Sequence, residues 1–465
     1  MSRTIHPELL TQAPDRPLTD EKNSVVRKSW ADKFLLWLSI VLLGYALAGR
    51  GFAYIGFPPL FIGEITLMFG LSALVVSANV GRVMGSGLIW LIVAFMGWGA
   101  MRTIPFVHEY GIDALRDGMT WGYASYAIIV AALIAAYPER LLVMMARYRK
   151  FVWIVLVLGP IFWLIARFAK PVMPVWPWAH VELIEVKGGD YAVHLSGIYA
   201  YLVSVGRLSN PWVPLILLPI GLAMNVTGRA AMLSFILCAA VATALRPLTR
   251  FMVKLPIVIL LLIAFGWGLD AHMRAGPEVT REISVDQLFK TLDSILPGSR
   301  HHDLDSTKEW RLDWWDKIVK YTIHGPYFWT GKGFGVNLAN DDGFQVFADE
   351  SLRSPHSAHL SILARAGVPG LSIWFALHAA WALTLFNAYF SARKLGHKRW
   401  CGLFAFILAY WVAFIANASF DVYLEGPMGA IWFWSLVGFG IGAVWVHKNR
   451  PWILESANDA GIDRA

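Results

Sequence analysis

The chain has 465 residues, 57% of them hydrophobic and 15% charged, with a mean hydropathy of +0.52. That balance excludes a soluble globular protein. Its 2 cysteines, Cys238 and Cys401, both lie in apolar blocks, which excludes a disulfide framework and a cysteine metal site. The net charge of +8 follows the short loops, so it reads as a topology signal and not as nucleic-acid binding.

The apolar residues fall in blocks of about 20, the length that crosses a bilayer. About twelve such blocks are legible. They centre near Leu42, Leu71, Val93, Ile129, Leu156, Tyr199, Leu217, Phe235, Leu262, Phe375, Phe406 and Leu436. The Tyr199 block is the weakest, since it carries His194 and several small polar residues. The expected fold class is an all-α polytopic membrane protein with about twelve transmembrane helices and one large outer loop. The expected boundaries are a cytoplasmic tail over 1–33, nine spans over 34–270, the loop over 271–355, three spans over 356–447, and a tail over 448–465.

Residues 1–33 are too long and polar for a signal-peptide start, so the first span is expected to be an anchor. Basic residues mark one side of the membrane. Arg27, Lys28 and Lys33 lie in the tail, and Arg140, Arg147, Arg149 and Lys150 precede the fifth span. Arg246, Arg250 and Lys254, then Arg393, Lys394, Lys398 and Arg399, then Lys448 and Arg450 fall on the same side. Positive charge in short loops marks the cytoplasm, so both termini are expected there. Trp30, Trp121, Trp212 and Trp400 stand at span ends, as in an aromatic belt.

Residues 50–59 and 102–119 are expected as short outer loops. Arg102, His108, Glu109, Asp113 and Arg116 in the second could touch a ligand, although a solvated charged loop is the plainer account. Lys170 to Asp190 interleaves Pro171, Pro174 and Pro177 with Trp176 and Trp178, a stiff interfacial loop. Asn225-Val226-Thr227-Gly228-Arg229 then links two spans and holds Arg229 at the outer surface. An arginine there needs an anion or lipid headgroups. Asn225-Val226-Thr227 matches a glycosylation pattern but lies too near the membrane to be one.

A long polar stretch follows, up to Pro355. Val285, Leu288, Phe289, Leu292, Ile295 and Leu296 repeat at helical spacing until Pro297-Gly298. Ser306 and Glu309 form a capping-box pair for a helix bearing Trp310, Arg311, Trp314, Trp315, Ile318 and Val319. Its apolar positions spread widely, so it is expected on the bilayer or beneath a lid. Gly331, Gly333 and Gly335 alternate, as in a tight turn or a close approach to a ligand, but match no dinucleotide or phosphate loop. Asn340-Asp341-Asp342-Gly343 lacks the ligand spacing of a calcium loop, and His301, His302, His324, His356 and His359 lack a zinc spacing.

Ser354-Pro355-His356-Ser357-Ala358-His359-Leu360 closes this loop and opens an apolar helix. His356 is expected where water meets bilayer, at a helix start that favours anions. A proton acceptor at that boundary points to a substrate that is half lipid and half sugar, against the bland alternative of a surface histidine. Asn417, Asp421 and Glu425 lie in the final outer loop, where they could orient His356, bind sugar hydroxyls or simply be solvated.

His356-Ser357, the nine residues 358–366 and Gly367-Val368-Pro369-Gly370 together resemble the O-antigen ligase family pattern of His, then Asn, Ser or Gln, a nine-residue spacer and G-x-x-G. Thr227-Gly228-Arg229 is similar to the family's outer-face arginine, with glycine in place of the usual serine. Arg311 with Trp314 or Trp315, then His324-Gly325-Pro326 and Gly331 to Gly335, resembles a further family stretch, except that Gly325 separates His from Pro. The similarity covers roughly residues 220–375.

The resemblance implies a metal-independent, cofactor-free, inverting glycosyltransferase of C-type architecture at the periplasmic face of the inner membrane. It implies a donor glycan on undecaprenyl diphosphate, His356 as general base, and Arg229 and Arg311 on the diphosphate. His359, Asp421, Glu425, Gly333 and Gly335 are candidates for supporting the base or binding the acceptor. A ligase would use lipid A-core as acceptor, in lipopolysaccharide synthesis; a polymerase of O-antigen or exopolysaccharide would use another lipid-linked repeat. A transporter or flippase is the rival from another class, and would place ionisable pairs near the bilayer centre.

Overall fold

The computed structural model describes residues 29–77, 80–206, 212–224, 228–247, 250–268 and 305–455. Arg27 and Lys28, the Asn225–Thr227 turn, the apolar repeat from Val285 to Leu296, His301 and His302, and the Ser306 side chain fall outside the described residues.

The protein is mostly helical, at 77%. Beside single-turn pieces and a small antiparallel pairing of Gly56–Phe57 with Leu60–Phe61, the helices run α1 Trp30–Ala48, α2 Ile62–Ser77, α3 Gly87–Thr103, α4 Ile112–Gly122 and α5 Ser125–Ala136. They continue as α6 Arg140–Phe168, α7 Gly188–Ser204, α8 Trp212–Ala223, α9 Arg229–Leu245 and α10 Arg250–Gly268. After the outer segment come α11 Asp305–Thr322, α12 Leu338–Asp342, α13 Ala358–Lys394, α14 Lys398–Ala418 and α15 Pro427–Asn449. The first start is a capping box: Ser29 Oγ accepts from the Asp32 amide at 3.3 Å, and the Asp32 carboxylate accepts from the Ser29 amide at 3.1 Å.

Among the described residues, 7 helices are long and apolar enough to cross a membrane: Trp30–Ala48, Gly87–Tyr110, Ile112–Ala136, Arg140–Phe168, Ala358–Lys394, Lys398–Ala418 and Pro427–Asn449. Four shorter apolar helices, Ile62–Ser77, Trp212–Ala223, Arg229–Leu245 and Phe251–Leu261, account for further blocks of the sequence. The weak Tyr199 block has a physical explanation. From Asp190 to Ser204 every residue of α7 is buried, because α7 packs among α9 and α14 and meets protein rather than lipid. Gly197 leaves room for the Tyr410 ring. His194 is a satisfied core histidine, bonded to Tyr410 Oη at 2.8 Å and Tyr423 Oη at 2.9 Å.

The basic clusters gather at one end of the bundle. Arg140 donates to Asp32 at 2.8 Å, Arg399 to the Leu454 carbonyl at 2.9 Å, and Arg246 reaches the Lys398 carbonyl at 3.5 Å. Trp432, early in α15, donates to the Leu42 carbonyl late in α1 at 2.7 Å, so these helices are antiparallel. Residues 354–360 and 417–427 close the opposite end.

The outer segment builds a hydrophobic core of its own. Trp314 and Ile318 of α11 are fully buried with Leu338, Ala339, Leu352, Leu363 and Ala364. The Trp314 ring stacks on Phe344 at 5.3 Å, and its N–H donates to the buried Asp342 at 2.7 Å. The helix expected on the bilayer or beneath a lid is therefore packed into a small domain seated on the first turns of α13. Its apolar residues spread around the helix because one side meets this core while Trp310 and Trp315 meet the His356 turn.

Segment 102–119 is solvated in part, with His108, Glu109 and Arg116 exposed, but its aspartates are engaged. Asp117 accepts from Arg353 at 2.9 Å and from Arg365 at 3.1 Å, and Asp113 accepts from Arg353 at 3.2 Å. This latch ties the start of α4 to the outer domain and to α13. Asp117 and Arg365 are 9% and 5% exposed, so removing one partner strands the other. Asp117→Leu is expected to lose about 3–5 kcal/mol of stability. A melting curve in detergent checks this, and an unchanged midpoint would show the latch to be energetically idle.

Candidate active site at the outer end

The site centres on a turn that its surroundings force into an uncommon shape. His356 has φ of 55°, in the left-handed region that a side chain such as histidine rarely adopts. Ser357, not His356, is the helix cap: its backbone is extended and its Oγ accepts from the Leu360 amide at 3.4 Å. Neighbours on both sides hold the strain. Trp315 donates to the Pro355 carbonyl at 2.8 Å. Ser354 Oγ and Ser361 Oγ, flanking the turn, both donate to Glu425 Oε1 at 2.8 and 2.6 Å. Burial pushes the Glu425 carboxyl up to about 7. Glu425 thus staples the turn from behind.

Burial first, then the Arg311 guanidinium and Lys187, pushes His356 down to about 4, with Asp421 opposing. The imidazole is therefore neutral at neutral pH and free to accept a proton. Its ring centroid lies 6.3 Å from that of Trp310. Arg311 is anchored by donation to the Phe420 carbonyl at 3.1 Å. Arg311, His356 and Asp421, three residues far apart in sequence, are thus brought within electrostatic reach of one another.

Arg229 opens α9. The far end of that helix is tied down where Tyr389 Oη donates to the Leu245 carbonyl and Arg246 reaches Lys398, so Arg229 stands at the His356 end. His359 joins α13 to the end of α14: its Nδ1 accepts from Trp374 at 2.9 Å and its Nε2 meets Ser419 Oγ at 3.1 Å.

Gly333 and Gly335 approach the protein's own side chains. A Cβ on Gly333 would lie 2.1 Å from the Phe106 ring, and one on Gly335 would lie 2.8 Å from Tyr110 Cβ. The glycine stretch has a backbone task instead. Gly367 breaks α13 with φ 68° and ψ −173°, and Pro369 has no N–H to offer the Arg365 carbonyl. The carbonyls left open are taken from outside the helix: Ala364 by the Lys332 amide at 2.7 Å, Arg365 by the Gly333 amide at 3.0 Å, and Ala366 by Trp98 Nε1 at 2.8 Å. In return the Val368 amide donates to the Phe328 carbonyl at 2.8 Å. The G-x-x-G element therefore docks the outer domain on the His356 helix. A Cβ on Gly367 would lie 2.6 Å from the Phe328 carbonyl oxygen. Gly367→Ala is expected to cost at least about 1–3 kcal/mol. Thermal unfolding reads this, and a wild-type midpoint would refute the docking role.

Asp341 and Asp342 are engaged by Lys332, at 2.5 Å each. Among the described residues, no group of three or more His, Cys, Asp or Glu gathers as a metal cluster. Sequence reasoning missed the latch of Asp117, Arg353 and Arg365. Its signal was available: an arginine in an apolar helix, such as Arg365, requires a partner. It also put Asp190 and Asn417 in outer loops, whereas Asp190 lies in the first turn of α7 and Asn417 near the end of α14, 7% and 0% exposed. A Cβ on Gly189 would sit 3.0 Å from Asn417 Oδ1 and 3.7 Å from Asp421 Oδ2, so this wall closes against the His356 turn.

Residues 214–375, which contain Arg229, Arg311, His356 and Gly367 to Gly370, match the family model described as O-Antigen ligase. Over this stretch, about a third of the chain, the protein is similar to the O-antigen ligase family. It is accordingly a multi-pass membrane enzyme of the glycan-transferring, ligase or polymerase type. No curated protein matches the chain.

Proposed function

We propose that this enzyme moves a glycan from undecaprenyl diphosphate to an acceptor hydroxyl at the periplasmic face of the bacterial inner membrane. The observation that carries the reading is the placement of His356 and Arg311 together, between Trp310, the Pro355 turn and the Phe420 carbonyl, at the end of the bundle opposite the basic clusters. The basic end is cytoplasmic by the distribution of lysine and arginine, so His356 faces the periplasm.

His356 takes the proton of the acceptor hydroxyl as its oxygen bonds to the anomeric carbon. The bond from that carbon to the diphosphate breaks, and the electron pair leaves with the diphosphate. Arg229 and Arg311 bind the diphosphate and offset the charge that grows on it, as guanidinium forks do. Attack opposite the leaving group inverts the anomeric configuration. The step draws on no metal and no cofactor, and the architecture is read as that of a C-type glycosyltransferase. Glu425 and His359 hold the turn and the adjoining helices, while Asp421 faces the base.

The single large outer segment favours a ligase, with lipid A-core as acceptor. A polymerase would run the same chemistry with a second lipid-linked repeat unit. Purified enzyme given undecaprenyl-diphosphate-linked repeats alone separates the two on a gel. No ladder until lipid A-core is added supports the ligase, whereas a ladder from repeats alone identifies a polymerase.

A further inference from the structure

A second site lies toward the basic end of the bundle, away from His356. A half-open cleft with a cavity volume of about 90 Å³ lies there between α1, α6, α7, α14 and α15. Its wall is apolar and aromatic, with Met144, Phe151, Phe406 and Trp432 among the lining residues. Polar groups of Arg147, Tyr148 and Ser435 interrupt that wall. Arg147 Nη1, the Tyr148 hydroxyl and Ser435 Oγ are all buried, and none has a hydrogen-bond partner. Asp32 is near enough to act on Arg147 through its charge, but its hydrogen bonds go to Arg140 at 2.8 Å and to the Ser29 amide at 3.1 Å. A guanidinium N–H and two hydroxyls without acceptors, on an otherwise apolar wall, ask for an anionic head joined to an apolar tail.

The depth fits. Helix α6 has 29 residues, which span about 43 Å, or about 13 Å more than the hydrocarbon core. Arg147 lies about 10 Å from the start of α6. With Arg149 and Lys150 beside it, it sits at the level where lipid phosphates meet acyl chains on the basic side of the membrane. That leaflet is the one rich in anionic lipid.

We propose that this cavity binds one anionic phospholipid from the cytoplasmic leaflet, its phosphate on Arg147, its ester groups toward the deeper Ser435 and an acyl chain along the aromatic wall. Binding of this kind stabilises the folded protein by mass action. The test uses the full chain, stripped of lipid in detergent and melted with phosphatidylglycerol or with phosphatidylcholine of the same chains. The expected result is a midpoint raised by about 3 °C or more with phosphatidylglycerol only. Arg147→Met should lose the increment. Ser435→Leu, which fills the cavity while leaving the charge, should lose it too and guards against a folding defect in the first variant. Native mass spectrometry should show one retained phosphatidylglycerol on the wild type and none on either variant. An equal shift with phosphatidylcholine, or a shift that survives both substitutions, overturns the site. A larger shift with undecaprenyl phosphate overturns the phospholipid as its occupant.

Discussion

His356→Ala is expected to lower glycan transfer by about 10²–10⁴-fold, the range a general base contributes. The fold should survive, because the half-buried turn is held by Trp315, Ser354, Ser361 and Glu425 rather than by the imidazole itself. His356→Gly sharpens the test. Glycine accepts the left-handed backbone that alanine resists, so this variant should be at least as stable as His356→Ala and equally inactive. The pH profile carries the sign. Histidine sits near 6.5 when unfolded and near 4 here, so between those values the unfolded chain binds a proton that the folded chain refuses. Wild-type stability should fall as pH drops through that window, and the two variants should lack that component. The acid limb of kcat/KM should lie near pH 4 rather than near 6.5. A limb near 6.5 would place the essential base elsewhere.

Arg311→Ala is expected to cost about 10²–10³-fold in rate, the loss seen when one donor to a developing oxyanion is removed. Arg311→Lys should recover little, since a point charge lacks the planar fork that grips two phosphate oxygens. A second readout separates this from mere damage to α11. The guanidinium is one of the causes holding His356 low, so removing it should move the acid limb of kcat/KM upward. Lysine, which keeps the charge, should leave the limb closer to the wild-type position. Normal rates in Arg311→Ala, or a slow enzyme with an unmoved limb in both variants, would take Arg311 out of the site.

The membrane character of the chain was legible in the sequence, and so was the place where the proposed base stands. Spans declare themselves through uninterrupted apolar length, and His356 stands where polar loop gives way to such a run. The block count was less secure, because α7 and several neighbours are short or polar where they meet protein instead of lipid. The role of α11 was hidden for a related reason: wide apolar spread on one helix reads alike whether it meets a bilayer or a core plus a turn. The glycines at 331, 333 and 335 read as a tight turn or a close approach to a ligand, and only the three-dimensional docking on α13 shows that Phe106, Tyr110 and the Arg365 carbonyl fill the space beside them. Arg353 and Arg365 went unmarked because their partner Asp117 lies more than two hundred residues earlier. Local pattern carries no record of such a pairing.

The central claim is that a neutral His356 drives direct, inverting transfer from a lipid diphosphate. The most direct measurement gives wild-type enzyme in nanodiscs an undecaprenyl-diphosphate-linked glycan and lipid A-core, with a chelator present. The product is then isolated and its anomeric configuration read by NMR. The account predicts one new glycosidic bond of inverted configuration, formed with chelator present and absent from the His356→Ala reaction. Retained configuration, or product formed at the wild-type rate by His356→Ala, would contradict it.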